Sequence, residues 1–278
     1  MVSSTLLKAI SMKKAAILAM VLLCVVASQL QAQKPSAIVG TWEMVSMSAT
    51  DGTSEPYTRD VSTLKQYKVI TPTHWMYILK GVEQDTMRVG GDHGTYTLVG
   101  DKYVEKLSGA TTAFTVKVEG DKLYQDGTLT LDDGRKIVLH EVYRKVSGKP
   151  NPDRSLVGAW NLVSAYHMEN GKRVNDPATK EFQLITPTHF MLVERNGEEV
   201  KAVILGSYTL SGKKMVPKFI LAHPPANETD KIDVTTRIQG DRYVMKFIVT
   251  TLAGKVHEWG ATYQRADRKP AKAVAGTK

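Results

Sequence analysis

The stretch Ile38-Val39-Gly40-Thr41-Trp42-Glu43-Met44-Val45-Ser46 returns in the second half of the chain as Leu156-Val157-Gly158-Ala159-Trp160-Asn161-Leu162-Val163-Ser164. The copies continue in the same order. Val69-Ile70-Thr71-Pro72-Thr73-His74-Trp75-Met76 is matched by Leu184-Ile185-Thr186-Pro187-Thr188-His189-Phe190-Met191, then Gly94-Thr95-Tyr96-Thr97-Leu98 by Gly206-Ser207-Tyr208-Thr209-Leu210. Both copies end on a tyrosine strand, Glu141-Val142-Tyr143-Arg144-Lys145 and Ala261-Thr262-Tyr263-Gln264-Arg265. Five identities in a row arise by chance at about 3 × 10⁻⁷ per offset, so three collinear matches establish a duplication. Two copies are too few for a solenoid, and each is expected to close its own core.

Within a copy, short alternating runs are separated by turn signals. Phe114-Thr115-Val116-Lys117-Val118 alternates, Glu119-Gly120-Asp121-Lys122 turns, and Leu123-Tyr124 starts the next run. Copy two repeats this with 232–238, Gln239-Gly240-Asp241-Arg242 and 243–249, and no long stretch has helical period. About eight sequential strands in roughly 110 residues predict an all-β fold of two tandem antiparallel up-and-down barrels, which also removes exposed edges. A two-sheet sandwich is the alternative arrangement. The expected organisation is a signal peptide at 1–32, barrel 1 at 33–147, a Pro-containing linker at 148–155, barrel 2 at 156–265, and a basic, disordered tail at 266–278.

The leader reading rests on Lys13 and Lys14 before the apolar run Ala15 to Ala27 and a small residue, Ala32, before a polar segment. It places the mature protein in the periplasm or outside the cell, with no stable membrane insertion after cleavage. Cys24, the single cysteine, falls inside that run, so the mature chain is expected to hold no disulfide. Leu23 in front of it argues against lipidation. The formal charge is +9, but Lys8, Lys13, Lys14, Arg268, Lys269, Lys272 and Lys278 sit at the two ends. Without those seven cations about +2 remains, which argues against a nucleic-acid partner.

The Gly40-Thr41-Trp42 and Gly158-Ala159-Trp160 starts resemble the Gly-x-Trp opening of lipocalins and their relatives. The whole two-copy chain is similar to secreted lipocalin-like proteins of unknown function common in Bacteroidetes, in which Thr-Pro-Thr-His-aromatic-Met and Gly-x-Tyr-Thr-Leu segments recur. The resemblance implies that Trp42 and Trp160 close the barrel floors, with Lys145 and Arg265 packing across their rings. It also implies a cavity for a small hydrophobic or amphipathic molecule, without a cofactor and without an established reaction.

The ligand contacts expected on this reading are His74, Tyr77, Tyr96, Tyr103 and Glu105 in copy one, and His189, Tyr208 and Trp259 in copy two, since small-ligand cavities are apolar with a few polar tips. Each has a plainer reading: the histidines satisfy their own turns, and the aromatics fill two small barrels. Strand alternation puts His74 with Met76 and Ile78 on one face, and Trp75 with Tyr77 and Leu79 on the other. No close His pair suggests a metal site, and no Gly-x-Ser-x-Gly turn suggests a nucleophile, so no metal and no catalytic residue is assigned. Two rival readings remain: an interaction module with packed barrels that engages a protein or glycan, and an enzyme using a His74/Glu105 pair. Copy two has Pro217 in place of Glu105, so that pair exists only once.

Overall fold

The computed structural model describes residues 35–267 except 108, 132, 178 and 226–229. The expected signal segment with Cys24, and the tail beyond 267, lie outside the described residues. After a single helical turn, α1 (Pro35–Ile38), the chain is nearly all strand. β1 (Gly40–Thr50) is flanked by the short β2 (Tyr57–Thr58). β3 (Leu64–Ile70), β4 (His74–Glu83), β5 (Thr86–Val99), β6 (Lys102–Lys106), β7 (Thr111–Glu119), β8 (Lys122–Thr130) and β9 (Lys136–Lys145) follow as a meander. β9 pairs back onto β1, Trp42 opposite Lys145, and closes an eight-stranded antiparallel barrel.

The second copy repeats the plan. β10 (Gly158–Glu169) is flanked by β11 (Lys172–Asn175). β12 (Lys180–Ile185), β13 (His189–Asn196), β14 (Glu199–Ser211), β15 (Lys214–His223), β16 (Lys231–Gln239), β17 (Arg242–Thr250) and β18 (Val256–Arg265) follow, and Trp160 pairs with Arg265 to close it. The two closed barrels answer the predicted fold class and dispose of the sandwich alternative. Even the irregularities are shared: β1 and β10 each carry a bulge, after Met44 and after Leu162.

Each floor is built in the same way. Trp42 Nε1 donates to Ile38 O at 2.8 Å and the Lys145 ammonium lies 5.3 Å from its ring centroid. Trp160 Nε1 donates to Leu156 O at 2.9 Å beneath the Arg265 guanidinium at 4.4 Å. The glycine two residues earlier is needed for this contact. Gly40 and Gly158 hold φ of +153° and +151°, and a Cβ on Gly40 would stand 3.1 Å from Lys145 Cε.

Alternation fails at β3–β4 and β12–β14, where both faces are buried. The inward faces fill the barrels. The outward faces, Tyr67, Val69, Met76 and Ile78 against Phe182, Leu184, Met191, Val193, Val203 and Leu205, form a third apolar cluster that joins the barrels wall to wall. His93 stacks on Phe182 with centroids 3.8 Å apart, Lys80 Nζ donates to Ala222 O at 2.6 Å, and Arg195 reaches Gly91 O and Asp92. The connection between the barrels is clamped rather than loose. Asn151 is buried, its amide donates to Pro187 O and Tyr208 O, and its oxygen accepts from Leu210 N.

This seam should couple the two barrels. Phe182→Ala is expected to cost about 3–5 kcal/mol and to split a single calorimetric unfolding transition into two. One unsplit transition with an unchanged midpoint would show that the seam contributes nothing.

Candidate functional site

The two interiors have diverged, and comparing equivalent positions shows how. In barrel 1 the inward residues of β3 are Gln66, Lys68 and Ile70, set by Lys68 standing opposite Trp42. Lys68 is buried, with Nζ 2.5 Å from Glu105 Oε1 and 2.9 Å from Gln125 Oε1. Four rings surround the ammonium, Trp75, Tyr103, Phe114 and Tyr143, at 5.4 to 5.9 Å. Gln66 Nε2 donates to Tyr143 Oη at 3.1 Å, and Gln66 Oε1 accepts from Arg59 Nη1 at 2.7 Å. Glu141 lies beside this group; burial pushes its carboxyl pKa up, and the Lys68 charge opposes that shift. Barrel 1 therefore carries buried carboxylates together with their own cation.

In barrel 2, Lys68 becomes Gln183, Glu105 becomes Pro217, Gln125 becomes Met245 and Gln66 becomes Glu181. The facing pair Met47–Glu141 of β1 and β9 becomes Ala165–Ala261 of β10 and β18. Two long side chains are thus replaced by two methyl groups, and a cavity of about 500 Å³ opens at that level. Leu162, Ile204, Met245, Phe247, Trp259 and Tyr263 give it apolar and aromatic walls. A narrower apolar extension of about 90 Å³ runs on past Phe190, Met215 and Tyr243. There the β15–β16 ladder stops after two pairs, against five between β6 and β7, and Pro217 in β15 has no N–H to offer.

Glu181 is the polar centre of this cavity. Its Oε1 accepts from Tyr263 Oη at 2.5 Å and from Gln183 Nε2 at 3.0 Å. Burial raises its pKa from 4.5 to about 7; the bonds from Tyr263 and Gln183 pull it down and the Glu194 charge adds to the rise. Tyr263, which also accepts from Gln183 at 2.9 Å, is pushed well above its ordinary value by burial and by Glu181.

The expected contacts are scattered over this architecture. Trp259 lines the barrel 2 cavity, half-exposed at its lip, stacked on His257 and tilted against Phe247. Tyr77, Tyr96, Tyr103 and Glu105 face the interior of barrel 1. Tyr77 stacks on Trp75, Tyr103 is fully buried, and Glu105 is held by Lys68. Tyr96 and Tyr208 spend their hydroxyls on the Thr-Pro-Thr-His turns, donating to Thr71 O at 2.7 Å and Thr186 O at 2.8 Å. His74 and His189 point outward. Each pairs through Nδ1 with the preceding threonine, at 2.9 and 2.8 Å, and burial lowers the pKa of both. His74 packs on Phe182 across the seam, and His189 lies beneath Gly148. His74 and Glu105 stand on opposite faces of the barrel wall, so the structure does not bring that pair together.

Sequence reasoning passed over Lys68, Glu181, Gln183 and Glu194. The available signal was the aligned exchange of Gln66 for Glu181 and of Met47 and Glu141 for alanines. Among the described residues no three His, Cys, Asp or Glu side chains converge as a metal site, and no helix is long and apolar enough to cross a membrane.

No protein-family model matches the sequence, and curated proteins give no match. Three solved structures show a distant likeness. A protein of unknown function of the DUF3598 family from Nostoc punctiforme is 12% identical at a TM-score of 0.29, covering 83% of this chain and 97% of its own. Kievitone hydratase from Nectria haematococca is 11% identical at 0.23, covering 85% and 92%. Transferrin binding protein B from serogroup B Neisseria meningitidis is 10% identical at 0.25, covering 77% and 60%. At scores of this size the likeness says nothing about what the chain does.

The unequal interiors should respond in opposite senses when a buried charge is removed. Lys68→Ala leaves Glu105 buried without its cation and is expected to cost about 3–5 kcal/mol; adding Glu105→Met should recover part of that loss in chemical denaturation. For Glu181, the folded state keeps the proton up to about pH 7 while the unfolded chain releases it near 4.5. Wild-type stability should therefore fall as pH rises between those values, by about 3 kcal/mol in all. In Glu181→Gln that dependence should disappear and stability at pH 8 should rise.

Proposed function

We propose that the chain is an exported lipocalin-like tandem protein that binds a small hydrophobic or amphipathic molecule, and that barrel 2 is the binding barrel. The observation that carries this reading is the cavity of about 500 Å³ in barrel 2, with apolar and aromatic walls and one polar centre at Glu181 and Tyr263. Ligand sites of drug size have this size and composition. Barrel 1, whose interior is occupied by the Lys68 cluster, is assigned a supporting role: it backs the wall of barrel 2 through the seam. Export to the periplasm or beyond the cell follows from the leader at 1–32 and is part of the same proposal. No cofactor and no nucleic acid enters it.

The test is titration of the protein with N-phenyl-1-naphthylamine, a neutral dye that brightens in apolar surroundings. Wild type is expected to bind it with a single site and to quench Trp259 as it fills. Ala261→Trp or Ala165→Phe, each placing a ring in the cavity, should abolish the signal, while Tyr96→Phe in barrel 1 should leave it intact. Equal brightening in the blocked variants would remove barrel 2 as the site.

A further inference from the structure

The lining of the barrel 2 cavity has an unbalanced charge. Three carboxylates face it, Asp176, Glu181 and Glu194, and no lysine or arginine is among its lining residues. The chain between its two basic ends, by contrast, carries a formal charge of about +2. Asp176 accepts from His167 at 2.6 Å. Glu181 is met only by neutral donors, Tyr263 and Gln183, both on Oε1. Its Oε2 has no hydrogen bond among the described residues, and its one charged neighbour is Glu194, another acid.

Barrel 1 shows what such an interior does with its carboxylates when it satisfies them internally. There the Lys68 ammonium sits within an aromatic cage and against Glu105, and Arg59 reaches down from the mouth to Gln66, the counterpart of Glu181. Both cations are lost in barrel 2. Lys68 becomes Gln183. Arg59, whose N–H bonds Met47 O, is replaced at the same ladder position by Asp176, whose N–H bonds Ala165 O, the counterpart of Met47. The carboxylates of barrel 1, Glu105 and Glu141, are gone as well, but new ones stand at other positions, Glu181 for Gln66 and Asp176 for Arg59, without a cation among them and beside open volume. Of the rings beside it, Tyr263 is the counterpart of Tyr143 in the Lys68 cage, while Phe247 and Trp259 stand where barrel 1 has Gly127 and Leu139, and these three offer a cation their π-faces; the Tyr166 ring is already covered by the Arg173 guanidinium at 4.0 Å.

We propose that barrel 2 takes an organic cation, an amine protonated at neutral pH and carried on an apolar body, with its ammonium between Glu181 and Glu194 and its apolar part along Met245, Phe247 and Trp259. This rests on the reading of barrel 2 as the binding barrel and specifies its ligand class. The ammonium supplies from outside the charge that Lys68 supplies in barrel 1. A carboxylate that burial keeps half-protonated at neutral pH gives up its proton when an ammonium arrives. Binding should therefore release protons near pH 6 and tighten as pH rises from 5 to 8. The groups facing Glu181 are Gln183 on its own strand, Glu194 of β13, Tyr243 of β17, Tyr263 of β18 and, before β12, Asp176; none is a fixed cation.

The experiment compares octylammonium, octanol and octanoate, which share one tail, by isothermal titration at pH 7.5. Octylammonium is expected to bind about tenfold or more tighter than octanol, with octanoate weakest. Octylammonium heats measured at pH 6 in two buffers of different ionisation enthalpy should report proton release. Glu181→Gln, which installs the residue barrel 1 has there, is expected to fold and to bind octylammonium and octanol alike. Glu194→Gln should give a smaller loss in the same direction. If the three ligands bind equally, or octanoate binds best, the cation assignment is overturned while the binding barrel stands. If none binds and the naphthylamine dye does not either, the binding reading itself falls.

Discussion

A charge placed inside a β-barrel loses much of its water, and because removing an ion from water costs several kcal/mol it must find compensation there. The interior of this protein is organised around that constraint. In barrel 1 the compensating charge belongs to the chain itself: Lys68 holds Glu105 at 2.5 Å and Gln125 at 2.9 Å, within a ring of aromatics. In barrel 2 the position of the lysine is taken by Gln183, and a new acid, Glu181 in place of Gln66, manages its charge by shifting toward the neutral form and by accepting two neutral hydrogen bonds. One fold thus carries a saturated interior and an unsaturated one, related by a handful of substitutions.

The duplication makes the comparison a controlled one. Floor, bulge, turn and closing register are the same in both copies, so they cannot account for the difference between the interiors. What differs lies at inward positions of β1, β3, β4, β6, β8 and β9 and their counterparts, and at Arg59 and Asp176 just before β3 and β12. Exchange of Met47 and Glu141 for Ala165 and Ala261 creates the space, and exchange of Lys68 and Arg59 for Gln183 and Asp176 removes the positive charge. Either change alone would be less informative. A cavity without the acids would be an apolar void, and acids without the cavity would be a destabilised core.

The fold was legible because it is written twice. Alternation within each copy, together with repeated Gly-x-Trp and Thr-Pro-Thr-His segments, leads to two closed barrels. The outward apolar residues of β3, β4, β12, β13 and β14 were harder to read. Val69 and Met191 look like ordinary strand residues until the partner wall is present, because burial by a second domain leaves no period in the sequence. The Thr-Pro-Thr-His histidines stand out for being repeated, yet what repetition marks there is a shared structural role, since both complete a turn and point away from the interiors. The candidate site is legible only in the differences between copies, at Gln66 against Glu181 and Lys68 against Gln183, which the repeated segments pass over.

The seam then acquires a meaning beyond joining two domains. β12, β13 and β14 present Glu181, Glu194 and Ile204 to the cavity on one face, and bury Phe182, Leu184, Met191, Val193, Val203 and Leu205 against barrel 1 on the other. A barrel hollowed on the inside has less packing along its wall, and here the neighbouring barrel makes up for it from outside. The wall that carries the acids is therefore backed by a packed interface, and Glu181 is presented from a strand rather than from a loop. Fixing a charged group before its partner arrives removes the cost of ordering it on binding. Barrel 1, for its part, fills its interior with the Lys68 cluster and packs the outer face of β3 and β4 against this same wall.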